Sequence, residues 1–247
     1  MASYDFRTQR LFLDTPLAIG TRIALDRAQA NYLLNVLRLG EGAEVLIFNG
    51  RDGEWRARIS VEGRKSGSLL TLQQTRPQSP APDLVYLFAP LKHARLDYMA
   101  QKAVEMGAGR LQPVLTRRTQ ANRVNLDRMR ANAIEAAEQC GILALPDVLP
   151  ETRLGDAIAA LPDETVLVFC DEDAPIADPV AALQAAPAGP LAVLIGPEGG
   201  FDPQERALLL ERANTVRLAL GPRILRADTA AVAALTLVQA VRGDWTG

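Results

Sequence analysis

The stretch LIGPEGGF at Leu194–Phe201 runs from an uncharged apolar segment directly into a turn rich in glycine. Its three glycines carry no side chain, so the backbone there can approach a bound ligand closely. Asp202 and Pro203 then supply a helix cap and a first helical residue, and Glu205 completes the pattern of a capping box. The stretch predicts a strand that ends in a loop beside the positive end of a helix. A tight turn before a well-capped helix has the same pattern, and spacing alone leaves both interpretations open.

A second stretch of this kind, LALGPRILRADTA, occupies Leu218–Ala230. A predicted strand again ends in Gly-Pro and leads into a helix, which starts with Arg226 and Asp228. A positive charge is unfavourable at the start of a helix, because the amino-terminal end of the helix dipole is itself positive. Arginines at this place therefore favour a role in holding a ligand. The competing interpretation is a surface ion pair between Arg226 and Asp228.

Strands and helices alternate over residues 83–247, and the strands are apolar. This alternation predicts an α/β fold with a parallel sheet covered on both faces. Ligands of such sheets bind beyond the carboxyl ends of the strands, so the two glycine loops mark the predicted site. The predicted strands are Leu84–Ala89, Leu111–Leu115, Thr165–Cys170, Leu191–Gly196 and Thr215–Leu218. The predicted helices are Leu96–Met106, Leu126–Cys140, Leu154–Leu161, Val180–Ala186, Pro203–Ala213 and Arg226–Val241.

The first part of the chain has short strands and one helix, a pattern that predicts a small β-barrel. Within the strand Glu54–Val61, alternation places Arg56 and Arg58 on the solvent face and Val61 on the core face. The other predicted strands are Arg10–Leu13, Thr21–Leu25, Glu44–Phe48 and Leu69–Gln73. The helix is predicted at Arg27–Leu39, with an apolar stripe formed by Tyr32, Leu33, Val36 and Leu37.

A proline-rich segment separates these two patterns. Three of the seven residues at 76–82 are proline, which predicts a stiff and extended linker. We therefore expect a barrel domain at residues 1–75, a linker at 76–82 and an α/β domain at 83–247.

Composition excludes several classes of protein. With 48% hydrophobic and 23% charged residues among 247, the chain has the apolar mass of a globular protein and is not disordered. Two cysteines and one histidine, His93, exclude a disulfide scaffold and a zinc site built from Cys and His. The amino terminus lacks the apolar region of a signal peptide. The uncharged stretch Pro179–Pro197 is interrupted by proline and glycine, so we interpret it as helix, turn and strand rather than a membrane span.

Charge is distributed unevenly along the chain. Residues 76–131 hold 10 Lys or Arg and 4 Asp or Glu, whereas residues 132–190 hold 1 and 11. All but 3 of the 27 basic residues are arginine, whose planar group suits phosphates and stacks on bases. A basic segment beside an acidic one favours a polyanionic partner.

The familiar nucleotide and nucleophile motifs are absent from the sequence. It has no phosphate-binding loop of the G-x-x-x-x-G-K-[ST] type and no G-x-G-x-x-G after a strand. No serine follows residue 79, so a serine nucleophile elbow is excluded from the second domain. His93 precedes a predicted helix and is interpreted as a surface or capping residue. The acidic candidates for chemistry at the site are Glu105, Glu138, Glu198 and Asp228.

The two glycine loops together resemble the closing signature of the SPOUT methyltransferases, and more narrowly the ribosomal small-subunit methyltransferase E family. Ordered matches extend over nearly the whole chain. They are Tyr32–Leu39, Gly42, Phe48–Gly50, Lys102–Gly107, Thr116–Thr119 and Glu138–Gly141. The chain departs from the family at three positions, where the family often has His, Arg and Glu. These positions are Asn31, Ile142 and Asp228.

The resemblance implies a PUA-like RNA-binding barrel followed by a domain whose carboxyl-terminal chain forms a trefoil knot. Such a knot is a rare exception to the rule that protein chains are not knotted. It implies S-adenosylmethionine as the cofactor and a homodimer with the active site at the subunit interface. The cofactor contacts that it implies are Leu194, Gly196, Pro197, Gly199, Leu218, Leu220, Gly221, Ile224, Leu225 and Thr229.

The implied reaction is methylation of uracil N3 in 16S rRNA of the small ribosomal subunit, at the position conventionally numbered 1498. The enzyme must align the reacting atoms, remove the N3 proton and stabilise the anion that forms. We expect Arg118 and Arg226 to stabilise the anion and Glu198 or Asp228 to accept the proton. The arginines expected to contact RNA are Arg10, Arg38, Arg56, Arg58 and Arg117.

Besides an α/β enzyme with a different nucleotide ligand, against which the missing phosphate motifs count, two other functions stay open at this point. One is a non-enzymatic rRNA-binding or assembly factor, which would bind RNA without the cofactor. The other is a SPOUT enzyme that methylates a ribose 2′-hydroxyl. We expect a cytoplasmic protein with no metal, no DNA partner and no membrane association.

Overall fold

The computed structural model describes Asp5 and residues 7–92, 94–120, 123–171, 173–176 and 178–246. The chain forms two compact units. Unit 1 consists of Met1–Pro80 and Ala137–Leu145, and unit 2 consists of Ala81–Ala136 and Pro146–Gly247. The domain boundaries drawn from the sequence stay a prediction, and His93 lies outside the described residues.

Unit 1 contains a five-stranded sheet with the order β1-β3-β4-β5-β2. β1 pairs with β3 in parallel, and the other neighbours are antiparallel. Apolar residues of this sheet, including Val45, Ile47 and Ile59, are fully buried and form the core of unit 1. The predicted small β domain is therefore confirmed. Its strands are β1 (Arg10–Phe12), β2 (Arg22–Ala24), β3 (Glu44–Phe48), β4 (Glu54–Gly63) and β5 (Ser66–Arg76).

The helix of unit 1 changes its winding halfway. Helix α1 covers Arg27–Asn31 and continues as a π-helical turn over Tyr32–Val36. The Leu37 amide donates a hydrogen bond to the Tyr32 carbonyl at 2.9 Å, which spans five residues and so inserts one extra residue into the turn. The insertion rotates the later residues, and Val36, expected on the apolar stripe, is 61% exposed. The prediction of one continuous α-helix to Leu39 was wrong for this reason.

Strand β4 departs from simple alternation. Register shifts interrupt its pairing with β5, and Glu54 at its start is 3% exposed. Val61, expected on the core face, is 40% exposed because it lies beside the irregular end of the hairpin. Arg58 is exposed as predicted, whereas Arg56 is half-buried.

A buried ion network joins the ends of the unit 1 sheet. Arg10 Nε donates to Glu54 Oε2 at 2.9 Å, and Arg76 Nη2 donates to the same oxygen at 2.7 Å. Arg76 also donates to the carbonyl of Gly141. Burial raises the pKa of Glu54, but hydrogen bonds from Arg76, Thr75 and Arg10 outweigh it and hold that pKa below 4.5.

We predict that Glu54→Gln lowers the free energy of unfolding of unit 1 by at least about 3 kcal/mol, because it leaves buried arginines without a counter-charge. In the wild type, the ionised Glu54 carboxylate contributes to the free energy of unfolding above pH 4.5. This contribution is lost as the pH falls through the lowered pKa of Glu54 in the folded state. Urea denaturation at pH 7 and pH 3 measures both effects. The matched control is Glu44→Gln, which removes partly exposed pairs on the same sheet and should cost less than about 1 kcal/mol. Equal losses in the two variants would contradict the network.

Unit 2 contains a parallel sheet with the order β12-β10-β11-β6-β7-β8, and β9 also pairs with β7. Every strand pair described in this unit is parallel, which confirms the predicted α/β fold. Its strands are β6 (Leu84–Phe88), β7 (Arg110–Leu115), β8 (Asp147–Val148), β9 (Thr152–Arg153), β10 (Val166–Cys170), β11 (Leu191–Ile195) and β12 (Thr215–Leu218). Its helices are α2 (Ala94–Glu105), α3 (Leu126–Cys140, of which the last turn belongs to unit 1), α4 (Leu154–Ala159), α5 (Pro179–Gln184), α6 (Pro203–Glu211) and α7 (Ala227–Arg242).

The central strands of this sheet are the most buried. Val166, Leu167, Val168 and Leu194 have no exposed surface, as expected for strands covered on both faces. Strand β10 lies between β11 and β12, so the carboxyl ends of all three meet at one edge. The threading of the knot stays a prediction. Among the described residues, no helix is long and apolar enough to cross a membrane.

Candidate active site

A cavity of about 830 Å³ opens at the carboxyl ends of β10, β11 and β12. The loops after β11 and β12, the two stretches singled out by their glycines, form most of its wall. Residues that follow β10 complete it. The position agrees with the expectation that ligands of parallel sheets bind beyond the strand ends.

The loop after β11 is shaped by close packing. A Cβ built on Gly196 would lie 2.5 Å from the ring of Phe201, so only glycine fits there without displacing that ring. Phe201 is held in turn by edge-on packing against Phe169, with ring centroids 5.2 Å apart. Gly200 adopts a φ of 69°, which closes the turn with a hydrogen bond from its amide to Pro197 O at 2.9 Å.

The predicted cap of the next helix is present. Asp202 accepts from the backbone of α6, and Glu205 reaches back to the Asp202 amide at 3.0 Å. The same Glu205 carboxylate accepts from the amide of Arg117 at 2.7 Å. Arg117 also donates to Asp202 at 3.1 Å, so this arginine, expected to contact RNA, is tied to the start of α6.

Arg118, from the loop after β7, reaches the glycine turn. Its Nη1 donates to the carbonyl of Gly199 at 2.7 Å. Next to that glycine, Glu198 forms an ion pair with Arg95 at the start of α2, at 2.5 Å. Arg118 and Glu198 thus both have protein partners, and both also line the cavity.

The loop after β12 has fewer internal contacts. Gly221 adopts a φ of 88°, and Ile224 is 94% exposed, a large value for an apolar side chain. Arg223 and Arg226 form no ion pair with the residues that the structure describes. The surface ion pair between Arg226 and Asp228 is therefore absent from the described part of the chain.

Most of the predicted site residues line this one cavity. They are Arg118, Glu198, Arg226, Gly196, Pro197, Gly199, Leu218, Leu220, Gly221, Ile224 and Leu225. Of the residues predicted for catalysis and cofactor binding, three do not line it. Leu194 is fully buried, with its side chain in the core, while Asp228 and Thr229 lie in the first turn of α7.

Sequence reasoning missed the part of the wall that follows β10. Asp171 is 6% exposed there and accepts from Arg217 Nε at 2.7 Å and Arg206 Nη2 at 3.0 Å. Burial raises the pKa of Asp171, but these arginines and the Asp173 amide outweigh it and lower the pKa below its usual value. The available signal was an acidic run directly after an apolar strand. Only the order of strands in the sheet shows that β10 lies between β11 and β12.

Two further polar side chains lie near the site, of which Tyr86 is fully buried and Cys170 is partly exposed. Burial raises the pKa of the Cys170 thiol, which lines the cavity, to about 12. The Tyr86 hydroxyl is buried without a hydrogen-bond partner among the described residues. The pKa of Tyr86 is raised well above 10.0, mainly by burial and to a smaller extent by the negative charges that Cys170 and Asp228 carry when ionised. Both groups are therefore neutral at physiological pH.

We predict that Cys170 resists alkylation in the folded protein, whereas the exposed Cys140 reacts. At pH 8 a thiol with a pKa near 12 is ionised in roughly one molecule in ten thousand, and only the thiolate reacts. Iodoacetamide labelling with peptide mass spectrometry measures both rates, and the unfolded chain gives the control in which both sites react. Equal rates at the two cysteines in the folded protein would contradict the raised pKa of the Cys170 thiol.

The arginines predicted to bind RNA in unit 1 differ in their surroundings. The side chain of Arg10 is 4% exposed and paired with Glu54, so it has no surface for a phosphate, which argues against the predicted contact. Arg56 and Arg58 share the carboxylate of Glu44, at 3.4 and 3.3 Å. Arg38 is exposed and has a φ of 56°, which is uncommon outside glycine.

Family models match both parts of the chain. One, described as an RNA methyltransferase domain, matches residues 77–239, and another, described as an RNA methyltransferase PUA domain, matches residues 25–71. Among curated proteins, ribosomal RNA small subunit methyltransferase E of Rickettsia conorii is 28% identical over 93% of this chain and 94% of its own length. The protein of the same name from Synechocystis is 29% identical over 94% of this chain and 77% of its own length.

Solved structures match over similar lengths. Ribosomal RNA small subunit methyltransferase E of Neisseria gonorrhoeae, bound to S-adenosylmethionine, has a TM-score of 0.83 at 28% identity and covers 95% of this chain and 98% of its own. A putative methyltransferase of Legionella pneumophila, in complex with the same cofactor, has a TM-score of 0.81 at 26% identity with the same coverage.

Proposed function

The chain belongs to the RNA methyltransferase family, and on that premise we propose that it transfers a methyl group from S-adenosylmethionine to RNA of the small ribosomal subunit. This membership confirms the resemblance seen in the sequence. The observation that carries the proposal is the single cavity in which both glycine loops meet. The similar proteins from Neisseria and Legionella, which cover nearly the whole chain, were solved with S-adenosylmethionine.

The cavity residues fit this cofactor. Pro197, Leu220 and Leu225 offer an apolar surface for the adenine ring, and the backbone of Gly196 and Gly221 is open to hydrogen bonds. The cofactor supplies an electrophilic methyl group on a positively charged sulfur.

We propose uracil N3 as the methylated atom, with Arg226 beside the base. Removing the N3 proton leaves a negative charge on the uracil, which a nearby guanidinium stabilises. Arg226 has no ion-pair partner among the described residues, so its charge is available to a ligand. Arg118, which holds the Gly199 carbonyl, keeps the glycine turn in shape.

We propose Glu198 as the proton acceptor. Its carboxylate lines the cavity and is 48% exposed, whereas Asp228 lies outside the cavity wall. The ion pair with Arg95 leaves one carboxylate oxygen without a contact from that arginine and fixes the direction of the group. A positioned carboxylate within reach of N3 would serve as a general base.

The test of the reaction is methyl transfer from labelled S-adenosylmethionine to small ribosomal subunits that lack the modification, followed by nuclease digestion and mass spectrometry. N3-methyluridine is the expected product. A ribose-methylated nucleoside would mean that the enzyme methylates the 2′-hydroxyl instead of N3. RNA binding without transfer of the labelled methyl group would favour the assembly factor.

We predict that Arg226→Ala and Glu198→Gln each lower turnover by about 10²–10³, because each group acts on charge that develops during the reaction. The affinity for S-adenosylmethionine, measured by calorimetry, should stay within about threefold. The matched control is Arg110→Ala, which removes an exposed arginine at the other end of the sheet. If Asp228→Asn abolishes turnover while Glu198→Gln does not, Asp228 is the proton acceptor and the assignment of Glu198 is wrong.

We propose further that the chain works as a homodimer in the cytoplasm. The exposed Ile224 at the cavity rim supports a partner surface there. The curated relatives are named for ribosomal RNA, which supports a place of action where ribosomes are assembled. Sedimentation of the wild type at twice the monomer mass of 26.7 kDa is the expected result.

A further inference from the structure

A second cavity of unit 2, of about 440 Å³, lies between the start of α2 and the start of α3. It shares no residue with the wall of the first cavity. Its floor is apolar and closely packed, since Ala100 is 1% and Met129 2% exposed. We call it the interhelix cleft and define it by these two residues with Leu91, Leu96 and the polar residues described next.

The rim of the interhelix cleft is basic and rich in amides. Lys92, Arg123 and Arg128 carry three positive charges, and Asp97 is the one acidic residue of the lining. Lys92 and Arg123 form no ion pair with the residues that the structure describes. The cleft therefore has a net positive charge that no described side chain compensates.

One side of the cleft is fixed by a hydrogen-bond network. Asp97 accepts from Arg128 Nε at 2.9 Å and from Asn132 Nδ2 at 2.8 Å. This hydrogen bond and the charge of Asp97 raise the pKa of Arg128. Asn125 accepts from the Arg128 amide at 3.0 Å, which leaves its own amide nitrogen available as a donor. The side chains that hold Arg128 thus also place two amide groups at the cleft.

We propose that the interhelix cleft binds one unstacked nucleotide of the RNA substrate, beside the nucleotide that is methylated. The apolar floor suits the face of a base, the amides of Asn125 and Asn132 suit its edge, and Lys92 and Arg123 suit its phosphate. This combination fits a nucleotide better than a free phosphate, which needs no apolar floor. The proposal rests on the proposed function for the identity of its ligand.

The chain connects the cleft to the methylation site. Lys92 precedes Arg95 by three residues, and Arg95 is paired with Glu198 at the wall of the first cavity. Consecutive Cα atoms are 3.8 Å apart, so Lys92 and Arg95 are at most about 11 Å apart. The separation between Lys92 and Arg95 is thus short enough for one RNA strand to contact both the cleft and the first cavity.

The test compares the double variant Lys92→Ala, Arg123→Ala with the control Arg130→Ala. Arg130 lies on the same helix as Arg128 but outside the cleft, where it pairs with Asp127 at 3.0 Å. The double variant should raise the Kd for protein-free small-subunit rRNA at least tenfold and lower the slope of log K against log salt by about 0.7 per lost phosphate contact. The control should change neither, and the affinity for S-adenosylmethionine should be the same in all three proteins.

A second measurement tests for the base. RNA substituted with 4-thiouridine is irradiated with the wild type, and crosslinked peptides are mapped by mass spectrometry. Crosslinks within residues 91–100 or 123–132 are expected. Unchanged rRNA affinity in the double variant overturns the cleft as an RNA-binding site. Loss of affinity without such crosslinks would mean a phosphate contact only and would overturn the nucleotide.

The outcomes separate this proposal from the proposed function. If the wild type binds RNA through the cleft but transfers no methyl group, the proposed function is wrong and the proposed nucleotide site in the cleft still holds. Methyl transfer by a double variant with wild-type RNA affinity would overturn the cleft alone. A wild type that does not bind RNA would overturn both.

Discussion

The pairing of β10 with a parallel strand on each side is the constraint on which the site depends. Val168 pairs with Val193 of β11 and with Val216 of β12, so three carboxyl ends reach the same edge of the sheet. The three strands come from separate parts of the chain, and their loops meet only because of this order. Burial of β10 and β11 on both faces makes the order costly to change, since displacing either strand would expose an apolar surface.

Two kinds of loop surround the cavity at that edge. The turn after β11 is held by protein contacts, through Phe201 against Gly196 and through Arg118 on the Gly199 carbonyl. The loop after β12 presents Ile224 and Arg226, for which the described residues provide no comparable contacts. A rigid wall on one side and available side chains on the other suit an enzyme that holds a cofactor and then receives a large substrate.

The sequence predicts much of this arrangement because the deciding signals are local. Apolar runs located five of the seven strands described in unit 2, all but the two-residue β8 and β9, and the Asp202 cap located the start of α6. The missed features depend on tertiary structure. The π-helical turn that exposes Val36 has no local signature, and the burial of Arg10 follows from its pairing with Glu54, which is distant in sequence. Asp171 was missed because the sheet order is not visible in a strand pattern.

The central claim is that the loops after β10, β11 and β12 form one cofactor site. Hydrogen exchange of the backbone amides, followed by mass spectrometry with and without S-adenosylmethionine, tests it most directly. Slower exchange on binding is expected in peptides that cover residues 196–201 and 220–227, with little change in the buried strands β10 and β11, which are already protected. Protection confined to other segments, or cofactor binding with no protection in either loop, would contradict it.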